Sequence, residues 1–147
     1  MVKLSIIIPV YNEEKTILKV IQKVKQARIA NITKEIIIVD DFSSDKTRDI
    51  LKKIKDKLIK IFYHKKNMGK GAAIRTGLEN STGDIILIQD ADIEYSPNDY
   101  PRLLKPINDN EAKVVYGSRL EAIRNNMKSM YKLHYTGNLF LTMLSSM

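Results

Sequence analysis

Residues 3–24 read KLSIIIPVYNEEKTILKVIQKV, an apolar run closed by a proline and then a stretch whose apolar residues return every three or four positions. The run, residues 3–9, has the Ile-rich continuity of a strand buried on both faces. In the stretch that follows, Ile17, Val20, Ile21 and Val24 fall on one stripe with lysines opposite, which predicts a helix over residues 13–30 with Asn12 as its N-cap. Strand and amphipathic helix together make a βα unit, and the alternation recurs. Further strands are predicted at residues 35–40, 59–63, 84–89 and 113–116, with helices at 45–58, at 71–80 and from Ser96 onward. The second helix would start from Ser43 or Ser44 with Asp45 at its positive end. The fourth opens Ser96-Pro97-Asn98-Asp99, a cap, a proline in the first turn and an acid. The expectation is an α/β fold: a mainly parallel, Rossmann-like sheet with helices on both faces, ending in a fifth strand and an apolar helix.

At 147 residues, 44% of them hydrophobic, the chain suits a single domain spanning 1–147. It has no cysteine, so disulfides and thiolate metal sites are excluded, and a metal would need oxygen ligands or His64 and His134. Neither histidine has ligand spacing to an acid, and each reads as a surface or helix residue. The apolar run at the N-terminus is too short for a signal peptide, and nowhere are there eighteen consecutive apolar residues to span a bilayer. Net charge is +8, and eight lysines lie between Lys52 and Lys70. Such a field suits nucleic acid, an anionic membrane or a diphosphate equally, and charge alone does not choose. Residues 130–147 are apolar and methionine-rich with helical period and no following strand.

The unusual residues gather where ligands bind in open parallel sheets, beyond the carboxyl ends of the strands. Strand one ends in Pro9-Val10-Tyr11-Asn12-Glu13, strand two in Asp40-Asp41, strand four in Asp90-Ala91-Asp92-Ile93-Glu94, and strand five in Gly117-Ser118-Arg119. Asp90 and Asp92 flank a small residue, so in an extended turn both carboxylates can face one side and share Mg2+ or Mn2+, with Glu94 as a third oxygen donor. An Asp-X-Asp triplet by itself is weak, since a solvated acidic turn looks the same; its place at a strand end argues for the metal. Asp40, which ends the strand, favours a ligand role, while Asp41 is balanced between ligand and helix cap. The segment from Asn67 to Ala73 is glycine-rich and joins strand three to a helix, so either its amides approach a phosphate, with Lys70 beside it, or it is a tight strand-to-helix turn with a solvated lysine. It lacks the P-loop spacing. Arg119 could meet charge building on a departing diphosphate.

Four segments in this order, SIIIPVYNEE (5–14), VDDFSSDKT (39–47), QDADIEY (89–95) and Gly117-Ser118-Arg119, resemble family 2 glycosyltransferases of the GT-A fold. The likeness is strongest to dolichyl-phosphate mannose or glucose synthases and their bacterial and archaeal polyprenyl-phosphate relatives. The resemblance implies that Pro9, Tyr11, Glu13 and Asp40 or Asp41 line the base and ribose of a nucleotide sugar. It further implies that Asp90, Asp92 and Glu94 hold the metal, and that Arg119 lies near the phosphates. The implied activity is inverting transfer of a hexose from a GDP- or UDP-sugar to a polyprenyl phosphate, with Asp92 and Arg119 as catalytic residues and Lys70 at the nucleotide. The implied partners are the donor, a lipid-phosphate acceptor and the membrane in peripheral contact, with the protein cytoplasmic or at the membrane's cytoplasmic face. Nucleic acid is not among them, and homo-oligomerisation stays open. Relatives continue into a second acidic motif that does not follow Asn138, so the domain is expected to be incomplete at its C-terminal end. Competing readings are transfer to a saccharide and a non-catalytic nucleotide-sugar-binding module.

Overall fold

A computed structural model describes residues 2–93 and 95–117. The chain divides into two compact units, the first ending at Arg102. The first holds β1 (Val2–Val10), α1 (Ile17–Gln26), β2 (Ile32–Asp40), α2 (Thr47–Lys52), β3 (Ile59–Tyr63), α3 (Lys70–Glu79) and β4 (Ile85–Ile88). A short 3-10 turn at Pro97–Asp99 then leads into α4 (Tyr100–Asn108), which crosses into the second unit.

The strands are all parallel, in the order β3-β2-β1-β4. Nine residue pairs, from Val2 with Ile32 to Val10 with Asp40, join β1 to β2. That register draws residues 32–34 into a strand that periodicity begins only at 35. The two central strands are buried on both faces, as their continuous isoleucine runs predict: Ile6, Ile7, Ile8, Ile36, Ile37 and Ile38 are all fully buried. Ile7, Ile37, Val39 and Ala73 form the core on one face, under α3. Right-handed crossovers account for helices on two faces. The chain steps from β1 to β3 in one direction and returns across the sheet to β4 in the other, so α3 lies opposite α1 and α2. The buried stripe of α1, Ile17, Val20, Ile21 and Val24, is the one its period predicts.

The ends of the helices differ from expectation for local reasons. α2 stops at Lys52 rather than at residue 58. Continuing it would stack Lys52 and Lys53 over Lys55 and Lys57 at helical spacing, and the Asp56 carboxylate instead accepts the Leu58 amide at 2.9 Å to make a turn. α1 ends at Gln26, where the Lys34 ammonium donates to the carbonyls of Val24, Lys25 and Ala27 at 2.8, 2.6 and 2.7 Å. Burial first, and Lys25 next, lower the Lys34 pKa from its ordinary value. Asn12 does not cap α1; the N-cap is Thr16. Ser96 does cap its turn, accepting the Asn98 amide at 3.3 Å.

Residues 113–116 form no strand, and the sheet has four strands among the described residues. Only three apolar residues stand there in a row, and Val114 and Tyr116 are 64% and 89% exposed, so little burial is gained to order them. The edge strand β4 is not buried on both faces either, since Ile86 and Ile88 are exposed. The apolar stretch at 130–147 lies outside the described residues.

Close approach of β4 to β1 depends on glycine. A Cβ at Gly83 would stand 2.6 Å from Ser5 Oγ, 2.7 Å from Ser5 N and 2.8 Å from Lys3 O, and at Gly77 it would run into Ile7. Gly83→Ala should therefore push β4 off β1 at a cost of roughly 1–3 kcal/mol. A urea midpoint unchanged from wild type would show that the edge strand yields freely.

Candidate functional site

The order β3-β2-β1-β4 makes a topological switch between β1 and β4, whose connections leave in opposite directions and open a crevice beyond their carboxyl ends. An open cleft of about 410 Å³ lies there. Pro9, Tyr11 and Glu13 line it from the end of β1, Asp41 from β2, Lys70 from the start of α3, and Asp90 and Asp92 from the end of β4. Residues far apart in sequence are thus gathered by strand order. Tyr11 is half-exposed, an aromatic face open to the cleft.

The first two loops are stitched together. Asn12 adopts a left-handed φ of 56°, which turns the chain so that its side-chain oxygen accepts the Ser44 amide at 2.8 Å. In return the Asn12 amide donates to Ser43 Oγ at 2.9 Å, Glu13 N to Thr47 Oγ1 at 2.8 Å and Glu14 N to Asp45 Oδ2 at 3.1 Å. Asp45 also accepts the Thr47 amide at 2.9 Å, and Lys46 N donates to Glu14 Oε2 at 3.0 Å. Asn12 and the serines therefore serve each other's loops rather than the helices that follow them.

Adjacent aspartates at the end of β2 point apart. Asp40 is fully buried, pairs with Arg48 Nε at 2.5 Å and accepts the Ser43 amide at 3.3 Å, and it does not line the cleft. Arg48 lies over the rings of Phe42 and Tyr63, 5.2 and 5.4 Å from their centroids, and donates to the His64 carbonyl at 2.6 Å. The arginine spends its charge on structure, and Asp40 Oδ1 is left without a hydrogen-bond partner. Asp40, expected as a ligand from its place at the strand end, is thus placed in this ion pair and outside the cleft lining.

Asp41 faces the cleft. Its carboxylate accepts Met68 N at 2.9 Å, Gly69 N at 2.7 Å and His64 Nδ1 at 2.7 Å. Burial works to raise its pKa, but the Met68 amide, the His64 ring and the Gly69 amide together hold it below the ordinary carboxylate value. A carboxylate only accepts, so Nδ1 of His64 carries the proton, while Nε2 meets Thr76 Oγ1 at 2.9 Å. His64 is thus a nearly buried partner of the site, not the surface residue its isolation in sequence suggests. In the glycine-rich turn, the amides of Met68 and Gly69 hold a carboxylate of the protein itself.

At the end of β4, Lys70 Nζ lies 2.6 Å from Asp90 Oδ1. Gln89 braces this turn, donating from Nε2 to the Asp90 carbonyl at 3.0 Å and accepting from the buried Tyr100 hydroxyl at 2.7 Å. Burial pushes the Tyr100 pKa well above its ordinary value, so the phenol stays a donor. Periodicity gave no sign of this brace. Asp90 and Asp92 offer hard carboxylate oxygens to one cleft, a donor set that suits Mg2+ or Mn2+ completed by phosphate and water. Among the described residues no third acidic or histidine ligand joins them. Glu94, Arg119 and His134 lie outside the described residues.

The profile of the family described as Glycosyl transferase family 2 matches residues 5–145. The chain is 30% identical to the dolichol-phosphate mannosyltransferase of Pyrococcus furiosus, over 80% of this chain and 33% of that protein. It is 33% identical to the UDP-N-acetylglucosamine–dolichyl-phosphate N-acetylglucosaminyltransferase of Methanococcus voltae, over 95% of this chain and 61% of that protein. It therefore spans between one third and three fifths of the length of these two relatives. Among solved structures, glucosyl-3-phosphoglycerate synthase from Mycobacterium tuberculosis, in complex with Mn2+, uridine diphosphate and phosphoglyceric acid, has a TM-score of 0.57 at 27% identity. That match covers 72% of this chain and 39% of the synthase.

Proposed function

The chain belongs to glycosyl transferase family 2, and from that premise we propose that it is the donor-binding part of a metal-dependent, inverting transferase that moves a sugar from a GDP- or UDP-sugar to a polyprenyl phosphate. The carrying observation is that the base-side wall, Tyr11 and Asp41, and the acidic pair, Asp90 and Asp92, line one cleft at the switch point of the sheet. Tyr11 offers a stacking face for the base and Asp41 a fixed acceptor for its N–H groups. Asp90 and Asp92 hold a divalent ion, which when bound neutralises charge on the leaving diphosphate. Lys70 adds a cation on the same side. The attacking lipid phosphate is ionised at neutral pH and needs little help from a base, which fits a cleft whose described acids are given over to binding. The polyprenyl acceptor is supported by the names of the relatives, and it sets the reaction at a membrane surface, on the cytoplasmic face where nucleotide sugars are available. No described helix is long and apolar enough to cross that membrane.

Calorimetry of UDP and GDP with and without Mn2+ tests the donor site. Mn2+ should strengthen nucleotide binding in wild type, and Asp92→Ala should lose at least about tenfold in that affinity, about 1.4 kcal/mol. Undiminished binding by Asp92→Ala would remove the metal reading. Product analysis with a short polyprenyl phosphate against saccharide acceptors tests the second half of the proposal.

A further inference from the structure

Lys70 stands where helix electrostatics disfavour it. It is the first residue of α3, at the end of the macrodipole that repels cations, and no acidic residue shares the first turn. What holds its ammonium there is Asp90, at 2.6 Å across the cleft. The lysine side chain is 60% exposed, so the pair adds little to stability and the side chain is free to turn elsewhere. Asp90 is also one of the two carboxylates suited to a divalent ion, and one of its oxygens is already engaged by a cation that belongs to the protein.

We propose that Lys70 is a placeholder cation that couples metal and nucleotide binding: it occupies Asp90 until a divalent ion displaces it, and it then meets the donor's diphosphate. The inference rests on the donor-binding reading of the cleft. Charge supports both halves of it. With no metal, Asp90 and Asp92, one alanine apart in sequence, both bring carboxylates to the cleft, and the ammonium offsets the charge of Asp90. With the ion in place the carboxylates are neutralised and the ammonium loses its partner, while an arriving diphosphate brings new negative charge to the same cleft. Lys70 therefore opposes the metal when it comes alone and favours it when it comes with a nucleotide. A residue that merely stabilised the fold would not have effects of opposite sign.

Mn2+ uptake, followed by loss of the paramagnetic resonance signal of the free ion, tests this on the 147-residue chain. Wild type, Lys70→Met and Lys66→Met are compared with and without UDP or GDP; Lys66 is an exposed lysine outside the cleft lining. Without nucleotide, Lys70→Met should bind Mn2+ about fivefold more tightly than wild type, as expected for release of an exposed pair. With nucleotide the order should reverse, because the variant gains less from the diphosphate. Lys70→Met that binds Mn2+ no more tightly than wild type, or that gains as much from nucleotide, would overturn the proposal. So would a matching change in Lys66→Met, which would reduce the effect to general charge. Asp92→Ala separates the two levels. If it leaves Mn2+ and nucleotide binding intact, the donor-binding reading itself fails; if it abolishes them while Lys70→Met behaves as wild type, only the placeholder role is lost.

Discussion

Glu35→Ala is expected to remove about 3–5 kcal/mol of stability, a large share of what a domain of this size possesses. The Glu35 carboxylate accepts Ser5 Oγ at 2.6 Å, Thr82 N at 2.7 Å, Thr82 Oγ1 at 2.9 Å, Lys60 Nζ at 3.0 Å and Lys3 Nζ at 3.1 Å. These donors come from β1, from β3 and from the turn before β4, so one side chain of β2 ties all four strands at the end of the sheet away from the cleft. Lys3 and Lys60 are partly exposed and can return to water, so most of the loss should come from the buried Ser5 hydroxyl and the Thr82 amide. Urea denaturation followed by circular dichroism reads it, and a loss under about 1 kcal/mol would mean that water replaces the carboxylate without penalty. Acid should act in the same direction. Burial alone would raise the Glu35 pKa, but Ser5, Thr82, Lys60 and Lys3 hold it far below its ordinary 4.5. A group depressed on folding contributes fully above its unfolded pKa and loses that contribution as pH falls below it. Wild type should therefore lose stability on acidification from about pH 4.5 downward, and Glu35→Gln should lose less, with a residual slope from Asp41 and Asp45, whose values are also lowered.

What the sequence discloses and what it withholds divide along a physical line. Apolar period is a local property, so β1, the stripe of α1 and the cap at Ser96 were readable from neighbouring residues alone. Partner choice is not local. Asp40 and Asp41 are indistinguishable as letters, and strand alternation says only that they face opposite ways; that Asp41 has the cleft follows from α3 crossing the sheet on that side. His64 was unreadable for the same reason, because its partner is 23 positions away, just past the end of another strand. Asn12 resembles a helix cap in sequence, and only the parallel pairing of β1 with β2 brings Ser44, 32 positions on, within its reach. The strand expected at 113–116 shows the reverse error, in which local pattern promises a strand that the folded chain does not supply.

The same long-range contacts define the other large expected effect. Asp41→Ala should strip the acceptor from two amides and a ring N–H at once, those of Met68, Gly69 and His64, at a cost of about 3–5 kcal/mol if each donor is left dry. On the donor-binding reading proposed above, in which Asp41 is the acceptor for the base, it should also abolish detectable binding of UDP and GDP. His64→Ala should cost less, about 1–3 kcal/mol, because Asp41 keeps both amides. The two losses should not add. With Asp41 already absent the imidazole keeps only its contact with Thr76 Oγ1, so the double variant should be more stable than the sum predicts by about 0.5–3 kcal/mol. Simple additivity in urea denaturation would mean that the 2.7 Å contact between His64 and Asp41 contributes nothing of its own. Nucleotide affinity must be measured where all four proteins remain folded, for only then does weaker binding by His64→Ala report on the aim of the carboxylate rather than on the amount of native protein. On that comparison His64 either orients the base-binding wall, with affinity falling while the fold persists, or serves only the packing between β3 and α3, with affinity unchanged.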